Sequence, residues 1–291
     1  FAHFAPWIAL TALGGLAGSL ALVQWRRLRR VLAVWAACGL LGAVAVVAPE
    51  LAAATRSPPP ARPTGDTLRI VQYNAFGTWN RDPEGSARVI LAANPDIILL
   101  QEVRRGAGDR VERLLRRTHP HGTPADSRSH AVVLSRRPGA AEETVADGLW
   151  LARFRTRTAG GAPVTAVSLH YVWPDPLEPQ AGQRRSLARR AATLEGPLVV
   201  GGDFNLTPWS AAMRRQDGAL GRLGLTRRTR AVFSWPAQPV MGLAAPPFAL
   251  LPIDHVYARG LATAEVRRLP RTGSDHHPVL VVLKPVSPPS P

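Results

Sequence analysis

Between residues 5 and 48 the chain is apolar almost without interruption, whereas beyond residue 67 the apolar residues fall into short runs bounded by polar clusters. The uncharged stretches Ala5–Val23 and Val31–Ala48, about 19 and 18 residues, are each long enough to cross a bilayer as a helix. Only Gln24 to Arg30 separates them, so the pattern predicts an antiparallel helical hairpin with four arginines in its turn. Gly14, Gly18, Gly39 and Gly42 are candidates for close helix contact. From Thr67 onward, strand-like runs are expected at 68–76, 96–103, 130–135, 149–157, 164–172, 198–205, 253–257 and 279–283. Helical periodicity is clearest at 83–93, 108–117, 178–194 and 209–216. Hairpin-like and helix-separated spacings both occur, which argues for two packed sheets with helices outside them.

The two parts differ in more than period. The chain of 291 residues carries a formal net charge of +16, nearly all of it arginine, since Lys284 is the sole lysine. Arginine suits bidentate phosphate contacts, but an Ala-, Pro- and Arg-rich composition alone identifies no substrate. Cys38 is the only cysteine, which excludes an intramolecular disulfide and a cysteine-based zinc site. Arginines in the turn between the apolar segments place that turn in the cytoplasm by the positive-inside rule, so everything after residue 49 is expected outside it. Residues 50–66, containing Ser57-Pro58-Pro59-Pro60, read as a semi-rigid linker holding the domain off the bilayer. The expected organisation is therefore 1–49 membrane hairpin, 50–66 linker, 67–285 soluble domain and 286–291 disordered tail.

Chemistry enters where the strands end. The run Leu198-Val199-Val200 leads through Gly201-Gly202 to Asp203-Phe204-Asn205, so Asp203 and Asn205 share one side of an extended backbone. Gly201 and Gly202, lacking Cβ, permit a substrate or another strand to approach the backbone. Asn74 follows Ile70-Val71-Gln72-Tyr73, Glu102 follows Ile97 to Gln101, and His170 follows Val167-Ser168-Leu169. Asp254 and His255 follow Ile253, and Ser274-Asp275-His276-His277-Pro278 precedes the last strand. Such carboxylates, with no lysine among them, call for a divalent cation, and hard oxygen donors with histidines suit magnesium or manganese. Metal-assisted hydrolysis of a phosphoester is the chemistry these parts serve. Trp209 and Trp235 are candidates for stacking on a substrate.

The ordered set Gln72-Tyr73-Asn74, Leu100-Gln101-Glu102-Val103, Ser168-Leu169-His170, Gly202-Asp203-Phe204-Asn205, Ile253-Asp254-His255 and Ser274-Asp275-His276-His277-Pro278 resembles the endonuclease/exonuclease/phosphatase superfamily, from about Thr67 to Lys284. The resemblance implies a four-layered α/β sandwich with the site at one end of two facing sheets. It implies Glu102 as principal magnesium ligand with Asn74 and Asp275 nearby, and Asp203 activating water with Asn205 holding phosphate or nucleophile. His276, oriented by Asp254, would contact the scissile phosphate, and His170 would assist the transition state or leaving group. Phe76 stands where some nucleases of the family carry an acidic residue. The hairpin, with Asn205 to Ser210 and Phe233-Ser234-Trp235-Pro236, is similar to a bacterial membrane-anchored branch. The expected function is thus a membrane-anchored phosphoesterase acting on nucleic acid, phospholipid or a small phosphoester outside the cytoplasm. A non-catalytic protein that binds anionic polymers is the alternative.

Overall fold

The computed structural model describes residues 3, 5–22, 26–55, 67–103, 106–124, 130–146, 148–175, 177–239 and 249–285. The helices are α1 (Ala5–Leu22), α2 (Arg26–Thr55), α3 (Pro83–Ala92), α4 (Ala107–Arg116), α5 (Leu177–Ala192) and α6 (Ala211–Gly221). The strands among the described residues are β1 (Leu68–Asn74), β2 (Ile97–Gln101), β3 (His121–Gly122), β4 (Ala131–Ser135), β5 (Ala140–Ala146), β6 (Leu149–Arg157), β7 (Pro163–His170), β8 (Leu198–Asp203), β9 (Thr226–Arg227), β10 (Asp254–Arg259), β11 (Leu261–Arg268) and β12 (Val279–Pro285).

The strands form two six-stranded sheets, ordered β11-β12-β1-β2-β4-β3 and β5-β6-β7-β8-β10-β9. Each sheet has one parallel pair at its centre, β1 with β2 and β7 with β8, and antiparallel neighbours on either side. Alternation along the strands builds the layers. Leu68, Ile70, Ile97 and Leu99 face Ala166, Val199, Val256 and Ala258 between the sheets. Val71, Tyr73, Ile98 and Leu100 face outward onto Ile90 of α3 and Val111 and Leu115 of α4. On the second sheet, Val167, Leu169, Val200 and Tyr257 turn outward onto Leu187 of α5 and Met213 and Leu220 of α6. Helix, sheet, sheet and helix make four layers, the α/β architecture expected.

Gly201 and Gly202 do admit close approach, and what approaches is neighbouring parts of the fold. A Cβ on Gly201 would stand 2.6 Å from the Leu99 side chain across the sheet interface, and one on Gly202 would collide with the Leu169 carbonyl oxygen. Gly201 therefore lets the two sheets close together, and Gly202 lets β7 lie tight against β8, just beneath the strand ends.

The first part of the chain departs from expectation. Arg26 to Arg30 do not form a loop but open α2, in keeping with arginine's good helix propensity. The same helix runs through Pro49 to Thr55, so residues 50–55, expected as linker, are helical. By length and composition α2 suffices to cross a membrane, whereas the apolar part of α1, Trp7–Gly18, is shorter. Of the four glycines proposed for helix contact, only Gly39 approaches α1, at Ala12; a Cβ on Gly14, Gly18 or Gly42 would meet open space. The remaining linker, 56–66, and the tail, 286–291, lie outside the described residues.

The helical pair docks on the domain instead of standing apart from it. Glu50 near the end of α2 accepts two hydrogen bonds from Arg227 of β9, each 2.8 Å, and is reached by Arg230 at 3.1 Å and by the Ala231 backbone N–H at 3.1 Å. Arg227 also pairs with Asp217 of α6 at 3.0 Å, and Asp217 accepts from the Tyr257 hydroxyl at 2.6 Å. Burial disfavours charge on Arg227, but its bonds to Glu50 and Asp217 outweigh that and raise its pKa. Near the start of α1, the His3 ring lies 3.1 Å from the Thr207 hydroxyl, and the His3 carbonyl accepts from Trp209 Nε1 at 3.0 Å. Since the start of α1 and the end of α2 both reach the domain, the two helices run antiparallel.

Candidate active site

The space between the sheets changes from apolar to polar along one direction. Ile70 gives way to Gln72 and Asn74, Leu99 to Gln101, Ala166 to Ser168 and His170, and Val199 to Gly201 and Asp203. The register brings these ends level, because Asn74 pairs with Gln101, His170 with Asp203, and Asp203 with Asp254 on the antiparallel β10. A polar bridge spans the sheets beneath the site. Gln72 Nε2 donates to Gln101 Oε1 at 2.8 Å and to Asp254 Oδ1 at 2.9 Å, while Gln101 Nε2 donates to Ser168 Oγ at 2.9 Å. Buried polar groups in a low dielectric fix geometry when their bonds are complete, as most of these are.

Above the bridge, Asp203 is the meeting point. Its Oδ1 accepts the Asn205 backbone N–H at 2.9 Å, an Asx turn that coexists with the functional placement of both side chains. Its Oδ2 accepts from Asn74 Nδ2 at 3.1 Å and lies 3.6 Å from Nε2 of both His170 and His276. Asn74 Nδ2 also donates to Glu102 Oε1 at 2.9 Å, its Oδ1 being occupied by the Phe76 N–H. His276 Nδ1 is 2.8 Å from Asp254 Oδ2, and its backbone N–H donates to Ser274 Oγ, whose hydroxyl binds the Asn74 carbonyl at 2.7 Å. Asn205 Nδ2 donates to the Tyr171 carbonyl at 2.8 Å and stands 3.5 Å from His170 Nε2.

Electrostatics separate these groups. Burial pushes the Asp203 carboxyl up to about 7 although His276 opposes the shift. Burial also raises Asp275 and lowers His170. For His276 burial acts downward, yet Asp254, Asp275 and Asp203 outweigh it and hold the ring protonated well above its ordinary range. Burial likewise would raise Asp254, but the His276 charge and hydrogen bond bring it below its usual value. The site thus contains an ion pair, His276 with Asp254, beside carboxylates that burial disfavours as anions.

A divalent cation fits this arrangement. Glu102, His170 and Asp203 each offer a ligand atom, all within 4.8 Å of one another. Asp275 Oδ1 is buried without a hydrogen-bond partner among the described residues, while Oδ2 accepts from Trp235 Nε1 at 2.9 Å. Glu102 belongs both to this cluster and to the set Glu102, Asn74 and Asp275 expected from sequence. Its φ of 54°, like the 48° of Asn205, lies in the left-handed region directly after a strand. Asn tolerates that conformation, whereas for Glu it costs about 1 kcal/mol or more, a strain characteristic of functional positions.

The expected residues Asn74, Glu102, His170, Asp203, Asn205, Asp254, Asp275 and His276 all come together here, and Trp235 stands at the edge. Trp209 does not: it is 1% exposed, packed with Ala5, Ala43 and Val47 of the helical pair, and is part of the docking contact. His255 faces away from the site, where its Nε2 lies 2.8 Å from the Leu206 carbonyl oxygen. Sequence reasoning did not single out Gln72, Gln101, Ser168 and Ser274 as functional. Their signal was a polar residue close before a site residue: Gln72 and Ser168 stand two positions before Asn74 and His170 on the same face of the strand, Gln101 directly before Glu102, and Ser274 in the turn before His276.

A family model described as Endonuclease/Exonuclease/phosphatase family matches residues 71–276, which includes every residue of this cluster. Solved structures share the fold. An endonuclease/exonuclease/phosphatase from Beutenbergia cavernae is 22% identical with TM-score 0.57, over 76% of this chain and 72% of that one. Sphingomyelinase C from Streptomyces griseocarneus is 20% identical with TM-score 0.55, over 74% and 99%. Staphylococcus aureus beta toxin, in a mutant form with bound magnesium ions, is 14% identical with TM-score 0.54, over 74% and 99%. With its matched segment, its two-sheet core and the cluster between the sheet ends, the chain belongs to the endonuclease/exonuclease/phosphatase family.

Proposed function

We propose that the chain is a membrane-anchored, divalent-metal-dependent phosphoesterase that hydrolyses a phosphodiester or phosphomonoester. The observation that carries the reading is the Asp203 carboxylate, steered by Asn205 and Asn74, between His170 and the His276–Asp254 pair. Asp203 takes the proton of an attacking water, whose oxygen forms the new bond to phosphorus as the ester P–O bond breaks and the leaving oxygen is protonated. Protonated His276, held by Asp254, offsets charge on the phosphoryl oxygens, and Asn205 and His170 orient the group on the other side. Glu102, with Asn74, Asp275 or Asp203 beside it, would hold magnesium or manganese, which would polarise a phosphoryl oxygen and stabilise the leaving oxyanion. The anchor is α2, with the arginines at its start in the cytoplasm and the domain outside it.

The test is hydrolysis of a chromogenic phosphodiester and monoester by the full chain in detergent, with magnesium and with chelator. Asp203→Asn and His276→Ala should each lower turnover by about 100-fold or more, the scale of a lost acid–base or electrostatic group. Chelator should abolish it. Turnover that survives chelator and both substitutions would remove the assignment.

A further inference from the structure

The helical pair grips the loops that carry the site. His3 binds Thr207, two residues beyond Asn205, and Trp7 Nε1 donates to the Leu250 carbonyl at 3.2 Å. Leu250 and Leu251 are in turn bonded to Trp235, whose indole holds Asp275. Glu50 reaches Arg227, Arg230 and Ala231 on the same flank of the domain. The membrane helices therefore meet the domain at the end of the sheets where Asn205 and Asp275 lie. Arg26 lies 24 residues before Glu50 on one continuous helix, about 36 Å away, so the arginines that open α2 and the site flank opposite faces of a bilayer that α2 crosses.

The rim of the site is apolar where it should be wet. Trp79 is 72% exposed, Trp173 53% and Leu177 71%, the large exposed hydrophobic residues of the described domain. Trp79 and Trp173 belong to the site end, and Leu177 opens α5, the helix that follows β7 after His170. Trp79 closes the short turn after Asn74, and the adjacent Arg81 N–H is bonded to Gly273 beside Ser274. Trp173 follows Tyr171, which binds Asn205, and its ring packs 6.1 Å from that of Trp235. Exposed indoles suit the boundary between water and lipid.

We propose that the site opens onto the bilayer surface and that its substrate is a phosphoester headgroup presented by a membrane lipid, an inference that rests on the phosphoesterase reading above. The anchor then sets the height of the catalytic cleft as well as its compartment. A headgroup enters between Trp79 on one sheet and Trp173 on the other while its acyl chains stay in the bilayer. Water is the only co-reactant: its oxygen joins phosphorus, one ester P–O bond breaks, and the departing oxygen receives the proton.

The experiment uses the full chain in vesicles of phosphatidylcholine, phosphatidylglycerol and phosphatidic acid. On a Cys38→Ser background, an environment-sensitive probe is attached through Trp79→Cys, Trp173→Cys or Glu195→Cys, position 195 being at the opposite end of the sheets. Headgroup-region spin-labelled lipid should quench the probe at 79 and 173 and leave 195 unchanged; equal, weak quenching at all three would overturn the orientation. In parallel, magnesium-dependent turnover is measured for vesicle lipid, for dihexanoyl forms of the same lipids, for a chromogenic diester and for plasmid DNA. Vesicle lipid should be consumed about tenfold or more faster than its dihexanoyl form, through local concentration at the anchored site. Turnover of the diester or DNA with vesicle lipid intact would overturn the lipid inference and leave the phosphoesterase standing. No turnover of any substrate would remove both.

Discussion

Two tryptophans that look equivalent in sequence separate at the scale of the residue. Trp235 donates to Asp275 and is partly exposed, so Trp235→Phe deletes one hydrogen bond at the site; turnover should fall about tenfold with the melting temperature held, the worth of one such bond. Trp209 is enclosed between helices and domain, so Trp209→Ala should destabilise the fold by about 3–5 kcal/mol. Reversed outcomes in thermal melts and rate assays would contradict this division. His255 adds a pH dependence. Burial, aided by the Arg227 charge, lowers its pKa from 6.5 to about 4. Because the folded state resists protonation, the stabilisation is complete above 6.5 and is lost as pH falls toward 4, at about 1.4 kcal/mol per unit at most. Comparison of unfolding free energies of the parent and His255→Gln between pH 7.5 and 4.5 should show the shallower slope in the variant. The candidate site was legible in sequence because most of its side chains end an apolar run, while Asp275 and His276 stand just before one. Trp209 was misleading because it shares a segment with Asp203 and Asn205, although the turn at 207–210 carries it outside the cleft.

Secondary structure was legible to the extent that neighbours bury it. The eight strands read from sequence include β1, β2, β4, β6, β7, β8, β10 and β12, all interior to a sheet. The four that escaped, β3, β5, β9 and β11, are the four edges. Edge strands are short or carry polar and charged residues, as in Glu142 of β5 and Glu265 and Arg267 of β11, and so lack the apolar run that marks a central strand. β9 is only two residues long, yet it presents Arg227, the centre of the helix–domain contact. Arg227→Met removes the cation shared by Glu50 and Asp217 and leaves Glu50 with Arg230 alone. That should cost about 3–5 kcal/mol, read as a lower melting temperature of the full chain in detergent. An unchanged melt would mean that the ion pair is not what holds α2 to β9.

The relation between the helical pair and the domain belongs to the whole molecule and was not legible in advance. Proline content pointed to a spacer after residue 49, while the contact that decides the matter joins Glu50 to a residue 177 positions away. No local pattern encodes such a meeting. Topology has an equally distant effect at the other end. β12 lies between β11 and β1, inside the first sheet, and is immediately preceded by Asp275, His276 and His277. During synthesis the helices and the Asn74, Glu102, His170 and Asp203 segments all emerge before the strand that fills the gap beside β1. A chain still on the ribosome therefore has its N-terminal helices but neither a closed first sheet nor His276 beside Asp203, and the cluster between the sheets is complete only when the last strand slots home.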